Sequence, residues 1–411
     1  MRTIAQHAEE VSTLLTASLL PRDELLDLTA DTVAADSGDR ILAVDVAAAI
    51  DVPPFDNSQM DGYAVRSADL VPGTSYPLTT EVPAGTVPRP LPAGSAAPIM
   101  TGAPMPPGAD AVIPVEQTGA GFDVHEASGT VSFPASVAAG TFVRRRGSDI
   151  AAGSVLLPAG TVLGAAQLGA LVAAGVSAVR VRALPRVALV TTGLELTPPG
   201  ETLEAGRIHD SNSIMLAHAL RRCGADVTVH GYHSDESAGF LDLLTRLAAT
   251  SDLLVTTGAV SRGTREVVRD VLESHTVAFE SVAMQPGGPQ GLGRLHTRHG
   301  AVPIICFPGN PVSAMVSFEM FLRPVLRRLT GRTPADRAAL TVPLAHPVDP
   351  LASKHQVRRG VLDADGNARV LGGAGSHLLA AYARSTVLIH LPAGHSPLTA
   401  GTPVEIWRID D

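Results

Sequence analysis

The chain has 411 residues, 45% hydrophobic and 17% charged, too many for a single core and enough for three or four domains. A net charge of −9, with no basic stripe interleaved with aromatics, excludes a general nucleic-acid binder. No apolar run reaches 18 residues, and the opening MRTIAQHAEEVSTLL puts acids where a signal peptide needs its apolar core, so neither a membrane span nor export is expected and the protein reads as soluble and cytoplasmic.

Aromatic residues make up only 3%, which leaves cores of Ala, Val and Leu, with Trp407 as a packing residue near the C-terminus. Cys223 and Cys306 sit in apolar segments without partners at metal-ligand spacing and read as buried free thiols.

Residues 1–50 carry helical patterning, from AEEVSTLL to the apolar ILAVDVAAAI, and end at the Pro53-Pro54 turn. Residues 54–141 are short alternating runs broken by Gly and Pro, which predicts an irregular β insert. GTVLGAAQLGALVAAGVSAVRV (160–181) reads as a small-residue helix feeding a strand; packed back on the N-terminal segment, it makes the first domain discontinuous, 1–53 plus 142–184.

From residue 185 the period changes. VALVTTG, VTVHGY, LLVTTG, VAFESVAM and PIICFPG read as strands, with helical spacing between them and after the last. Such alternation predicts a doubly wound, mostly parallel α/β domain over 185–331, whose ligands bind beyond the carboxyl ends of its strands. Short β runs such as VLIHLPAG and PVEIWRI predict a C-terminal β-domain over 332–411.

Several loop strings carry candidate chemistry. TTGLEL (191–196) sets Glu195 just beyond a strand; in isolation it reads as a solvated loop carboxylate. TTGAVSRG (256–263), with Gly258 and Ser261, is a strand, a turn and a helix start, which is either an oxyanion site made by free backbone N–H groups or a simple chain reversal. FPGNPVSA (307–314) starts a helix at Pro311, where the missing N–H costs nothing, and leaves Asn310 without a purely structural explanation. FDNSQMDGYAVR (55–66) places Asp56 and Asp61 in a Gly-punctuated turn, and GGAGSH (372–377) offers a Gly-rich nest around Ser376. HTRH (296–299) has only superficial metal spacing and reads as an exposed turn.

Together with MTGAPMPPGADAVIPVEQ (100–117), VRRRGSDIAAGSVLLPAG (143–160) and RIHDSNS (207–213), these strings resemble, in order and spacing, the molybdopterin molybdenumtransferase family, comprising MoeA and the E domain of gephyrin. The resemblance covers nearly the whole chain. It implies a multidomain α/β plus β fold with a MogA-like α/β domain, and insertion of molybdate into adenylylated molybdopterin (molybdopterin-AMP) with Mg²⁺-dependent release of AMP. It also implies a homodimer, with a MogA-type adenylyltransferase as a further partner. Carried over residue by residue, the catalytic set is Glu195, Asp61, Asp235 and Glu266, with Glu195, Asp235 and Glu266 as metal ligands. Thr101, Asp149, Gly258, Ser261, Arg269, Asn310, Pro311 and Ser376 are implied to bind substrate, Asp61 and Thr101 serving the site of the partner subunit.

Glu266 and Arg269 replace an Asp and a Lys of the family pattern with charge kept, whereas four positions lose its charge: Leu194 stands for an Asp, and Ser281, Gln285 and Gly288 stand for lysines. Lys354 is the only lysine among 31 basic residues, so a drift towards arginine pervades the chain, but such drift keeps charge and does not account for Ser, Gln and Gly. Arg262, Arg265 and Arg294 lie nearby in sequence. The departures favour, as the alternative, a non-catalytic paralogue that binds molybdopterin for storage, handover or regulation. Molybdenum and tungsten both remain open as the metal inserted.

Overall fold

The computed structural model describes all residues except 32–39, 119–128, 261–266, 299, 395–396 and 411. Its contacts gather into two units, Met1–Glu24 with Arg182–Asp411, and Leu25–Val181.

The first unit opens with helix α1 (Ile4–Ser18), started by a capping box between Thr3 and Gln6. The α/β body then runs β1 (Arg186–Thr192), α2 (Ser211–Arg222), β2 (Asp226–Tyr232), α3 (Ser237–Ala248), β3 (Leu253–Thr257), α4 (Val267–Leu272) and β4 (Val277–Ser281). After a short strand β5 (Met284–Gln285) come β6 (Pro289–Thr297), β7 (Gly300–Phe307), and α5 (Pro311–Ser317), which continues through one π-helical turn, Phe318–Leu322, into α6 (Arg323–Thr330). The strand order is β2-β1-β3-β7-β6-β4. The first four strands are parallel, and β6 runs against both β7 and β4.

Apolar residues on both faces of the central strands account for this layering. Val187 and Leu189 of β1 enter one core cluster with α1, α2, α5 and α6, whereas Ala188 and Val190 enter the other with α3 and α4. Strands buried on both faces read as continuous apolar runs, as VALV does. Both predicted thiols are buried and free, and burial pushes Cys223 up to about 11 and Cys306 up to about 12.

A second sheet follows, built from β8 (Ala339–Pro343), β9 (His355–Leu362), β10 (Ala368–Val370), β11 (Val387–Leu391) and β12 (Pro403–Arg408), with a short helix α7 (Leu379–Ala383) between β10 and β11. Its order is β5-β9-β11-β12-β8, with β10 on β9, so β5 joins the terminal β layer directly to the α/β body. Trp407 lies on β12 with its ring 4.3 Å from that of His390.

In the second unit Gly62–Val65 runs between Ala97–Ile99 and Ala111–Pro114, all antiparallel. A Cβ at Gly62 would stand 2.1 Å from the Ile113 carbonyl oxygen, so this strand closes only on glycine. Tyr63, Tyr76 and Phe133 fill one side of the sheet, and Ala64, Ile99 and Val112 the other.

The helical pattern expected through residue 50 is observed over Ile4–Ser18, and the run from 41 is extended instead. Ile41 pairs with Val162, Leu42 with Val181, and Val46–Ala47 with Val155–Leu157. Its β-branched residues fit a pleated ladder better than a helix face. The helix at 165–173 therefore shares its unit with these strands, whereas α1 packs on the π-helical turn, α6 and β7.

His7 anchors α1. Its ring meets Phe321 edge-on at 4.6 Å, both ring nitrogens are buried without partners, and burial, aided by the Arg2 charge, lowers its pKa to about 4. The folded state therefore holds His7 neutral where the unfolded chain takes up a proton. The resulting stability is fully present above the unfolded pKa of about 6.5 and is lost as pH falls towards 4. We expect His7→Leu to flatten the decline of thermal stability between pH 7 and 5, removing on the order of 3 kcal/mol of acid sensitivity at full protonation. An unchanged pH slope would show that His7 is not the titrating group.

Candidate functional site

From β1 the chain crosses through α2 to β2 on one side of the sheet, then through α3 to β3 on the other. This reversal splays the loops beyond β1 and β3 and leaves a crevice between them. A cleft of about 840 Å³ opens there, lined by 191–196 after β1, 257–260 after β3, 308–311 after β7, the segment from Gln285 to Gly287, and the loop 374–377 of the second sheet.

A buried polar network holds these strand ends together. Asp210 caps α2, accepting from the Ser213 N–H at 3.0 Å and from the Thr191 hydroxyl at 2.7 Å. In the first turn of the same helix, Asn212 Nδ2 donates to Thr257 Oγ1 at 3.0 Å and to the Gly309 carbonyl at 2.7 Å. Thr257 Oγ1 in turn donates to the Pro308 carbonyl at 3.0 Å. Asn212 thus ties α2 to the loops after β3 and β7 while its own Oδ1 is buried without a partner.

The loop backbones approach too closely for side chains. A Cβ at Gly258, where φ is +98°, would meet the Thr192 carbonyl at 2.4 Å, and one at Gly309 would meet the Gly258 Cα at 3.2 Å. Ala259 follows with φ of +51°, a left-handed conformation that L-residues seldom adopt and that marks functional loops.

Six of the expected residues line this cleft: Glu195, Asp235, Gly258, Asn310, Pro311 and Ser376. The Glu195 carboxylate lies over Gly193, so close that a Cβ there would stand 2.7 Å from Oε2. Arg207 supports this loop from outside, donating to the Leu194 and Leu196 carbonyls at 3.0 and 3.3 Å. Asn310 occupies the cap position of α5 without a capping bond, leaving its amide uncommitted. The Ser376 carbonyl accepts the Val312 N–H at 3.3 Å, which docks the Gly-rich loop on the start of α5.

The other expected residues fall elsewhere. Arg269 pairs with Glu273 at 2.9 Å and lies over the Phe279 ring, and it is not among the cleft's lining residues. Ser261 and Glu266, with Arg262 and Arg265, lie outside the described residues. Asp61, Thr101 and Asp149 belong to the second unit. There the Thr101 N–H and hydroxyl both donate to Asp61 Oδ1, at 2.6 and 2.7 Å, and these bonds, the backbone one first, hold the Asp61 carboxyl below the usual range. Asp149 is exposed in the same unit. Asp56 binds the Arg145 side chain and the Arg146 N–H instead.

Of the positions expected to carry lysine, Gln285 lines the cleft, whereas Ser281 and Gly288 do not. Leu194 is exposed at its rim. Arg207, Asp210 and Asn212 carry much of the geometry yet were not singled out from sequence. The string RIHDSNS contains all three, and the only local signal is an Asp at a helix cap.

Among the described residues no three His, Cys, Asp or Glu side chains gather closely enough to hold a metal ion. The cleft does offer two carboxylates, Glu195 and Asp235. A Mg²⁺ ion that keeps several waters and shares substrate phosphates needs only one or two such ligands, so the donor chemistry fits. Among the described residues no helix is long and apolar enough to cross a membrane.

Comparisons with known proteins agree with this geometry. Three family models match in succession: the MoeA N-terminal region (domain I and II) over residues 3–175, the probable molybdopterin binding domain over 188–328, and the MoeA C-terminal region (domain IV) over 341–409. Molybdopterin molybdenumtransferase 2 of Mycobacterium tuberculosis is 40% identical over 387 residues, covering 90% of this chain and 92% of that protein. The molybdopterin molybdenumtransferase of Synechococcus elongatus is 35% identical, with 90% and 92% covered. The crystal structure of a molybdopterin biosynthesis MoeA protein from Pyrococcus horikoshii superposes with a TM-score of 0.75 at 27% identity, covering 99% of this chain and 98% of that one. A cleft at the reversal point of a doubly wound sheet, walled by TTGLEL, FPGNPVSA and GGAGSH, thus belongs to a chain that matches its relatives almost end to end, and the chain is a member of the molybdopterin molybdenumtransferase (MoeA) family, transferases of molybdenum cofactor biosynthesis.

Proposed function

We propose that this enzyme inserts molybdate into adenylylated molybdopterin in the cleft beyond β1, β3 and β7, with Mg²⁺-dependent release of AMP. The observation that carries this reading is the pair of carboxylates, Glu195 and Asp235, on the wall of a cleft whose other lining residues are, apart from His377, glycine, apolar or uncharged polar. Glu195 and Asp235, with Glu266 added by the family resemblance, would hold the metal. Bound there, Mg²⁺ would supply Lewis-acid stabilisation of phosphate charge.

The chain's own residues support the remaining tasks. Asn212 and Asp210 lock the loop ends, so the site meets its ligand without reorganising. Gly258 and Ala259 turn backbone towards the cleft, and the Asn310 amide is free to bond substrate. Asp61, its Oδ1 held by Thr101, keeps its second oxygen available, in line with a homodimer in which it serves the partner's site. The enzyme would act in the cytoplasm, with a MogA-type protein supplying the adenylylated substrate. Leu194 at the cleft rim, where the family carries an Asp, favours the second reading, a paralogue that binds molybdopterin without turning it over.

Two measurements test the proposal. Glu195→Gln should lower metal-dependent AMP release from adenylylated molybdopterin by about a hundredfold or more, while the thermal midpoint stays within a few degrees, since an exposed loop carboxylate contributes little to folding. Turnover at the wild-type rate would remove Glu195 from the mechanism, and its absence in the wild type as well would favour the paralogue.

Mixing inactive Asp61→Ala with inactive Glu195→Gln subunits should restore part of the activity, because some mixed dimers would contain one intact site. Mixtures that never exceed either parent, despite demonstrated subunit exchange, would show that the sites are not shared.

A further inference from the structure

Gln285 stands where the family resemblance calls for lysine, and its surroundings show what has taken that cation's place. It lies on β5, which pairs in parallel with β9 so that Gln285 faces Gln356 directly across the ladder. Two residues further along β9, on the same face because strand side chains alternate, is Arg358. Arg358 Nε and Nη2 donate to Gln356 Oε1 at 3.0 and 2.8 Å, and Gln356 Nε2 donates to Gln285 Oε1.

The direction of this chain of bonds is not free to reverse. A guanidinium only donates, so Gln356 must present its oxygen to Arg358 and its amino group to Gln285. Gln285 must then accept with its oxygen, which leaves its own NH₂ group at the wall of the cleft without an acceptor among the described residues. Each bond polarises the next, so the terminal amide carries part of the pull of the buried charge.

Arg358 is itself costly to keep. It is 7% exposed, and among the described residues its hydrogen bonds go to Gln356 alone and it forms no ion pair. The neighbouring Arg359, on the other face of β9, is wholly buried and donates to the Gly373 carbonyl at the base of the Ser376 loop, with Nε and Nη1 unpartnered among the described residues. Two adjacent buried cations with so few acceptors would be a poor way to stabilise a fold. An anion on the cleft side would offset that cost.

We propose that Gln285 is an anion-recognition residue in this enzyme, its NH₂ group held as a polarised donor by the relay from Arg358 through Gln356, and that it takes an oxygen of a tetrahedral oxyanion, either a phosphoryl group or molybdate. This rests on the reading above that the cleft's ligand is anionic. It assigns to β9 the positive field that lysine would otherwise supply, and it makes the donor a directional one, suited to a single oxygen.

The test is calorimetric titration of the full-length protein with AMP and, separately, with molybdate. Gln285→Leu removes the donor, and Gln356→Glu breaks the relay while giving Arg358 an ion-pair partner. The latter should raise the thermal midpoint yet weaken binding, which separates loss of the relay from loss of the fold. Both variants should bind AMP, molybdate or both about tenfold more weakly, the size of one charge-assisted bond. Whichever anion responds identifies the source of the oxygen. The double variant Gln285→Leu with Gln356→Glu should be no weaker than Gln285→Leu alone, because the two residues act in series. Unchanged affinity for both anions in Gln356→Glu, strictly additive losses, or no binding of either anion by the wild type would each overturn the proposal. Normal anion binding without turnover of adenylylated molybdopterin would instead overturn the proposed reaction and leave the relay standing.

Discussion

The geometry of the cleft depends on one side chain, the Asn212 amide, which bridges two loops that emerge from different strands. Loops at the edge of a parallel sheet are held by their strands at one end only, and their tips would otherwise be free to part. Here the bridge brings Thr257 and Gly309 to a common donor; a Cβ at Gly309 would crowd Gly258, and one at Gly258 is excluded by the Thr192 carbonyl. Such a bridge is buried, so losing it would take the donor from the Gly309 carbonyl and the Thr257 hydroxyl oxygen, at a cost of roughly 1–3 kcal/mol for each acceptor stranded. The left-handed Ala259 is then held in place by its neighbours.

Charge is handled in an unusual way around this frame. The cleft wall carries carboxylates, whereas the cations that an anionic substrate calls for are withdrawn behind it on β9. A lysine at 285 would be a flexible point charge; an amide at the end of a fixed relay is weaker but directional. The chain's near-total preference for arginine suits this arrangement. A guanidinium can grip a single amide oxygen through two N–H groups, as Arg358 does with Gln356, and an ammonium group lacks that fork.

Much of this was legible in the sequence. Apolar runs such as VALV and IIC, too continuous for one-sided strands, announce a sheet covered on both faces, and strings such as FPGNPVSA mark the loops at its carboxyl edge. The placement of α1 was not legible, because an amphipathic helix declares an apolar face without naming the surface that covers it. Nor was the role of Asn212: an Asn in a first helical turn reads as local chemistry, yet its partners lie 45 and 97 residues away. Gln285 read as a lost charge because its compensating partner, Gln356, stands 71 residues on, in a strand whose register no local pattern reveals. In each case the missing information was a long-range pairing, and side-chain bonds across loops leave little trace in periodicity or turn composition.

The central claim is that one preformed cleft at the carboxyl edge of the α/β sheet receives the substrate. Amide hydrogen exchange of the full-length protein, with and without AMP and molybdate together, tests it most directly, since bound ligand should protect the loops it touches. We predict protection concentrated in 191–196, 257–260, 308–311 and 374–377, four of the five segments that wall the cleft. Unchanged exchange in those segments, with protection appearing elsewhere in the chain, would contradict the account.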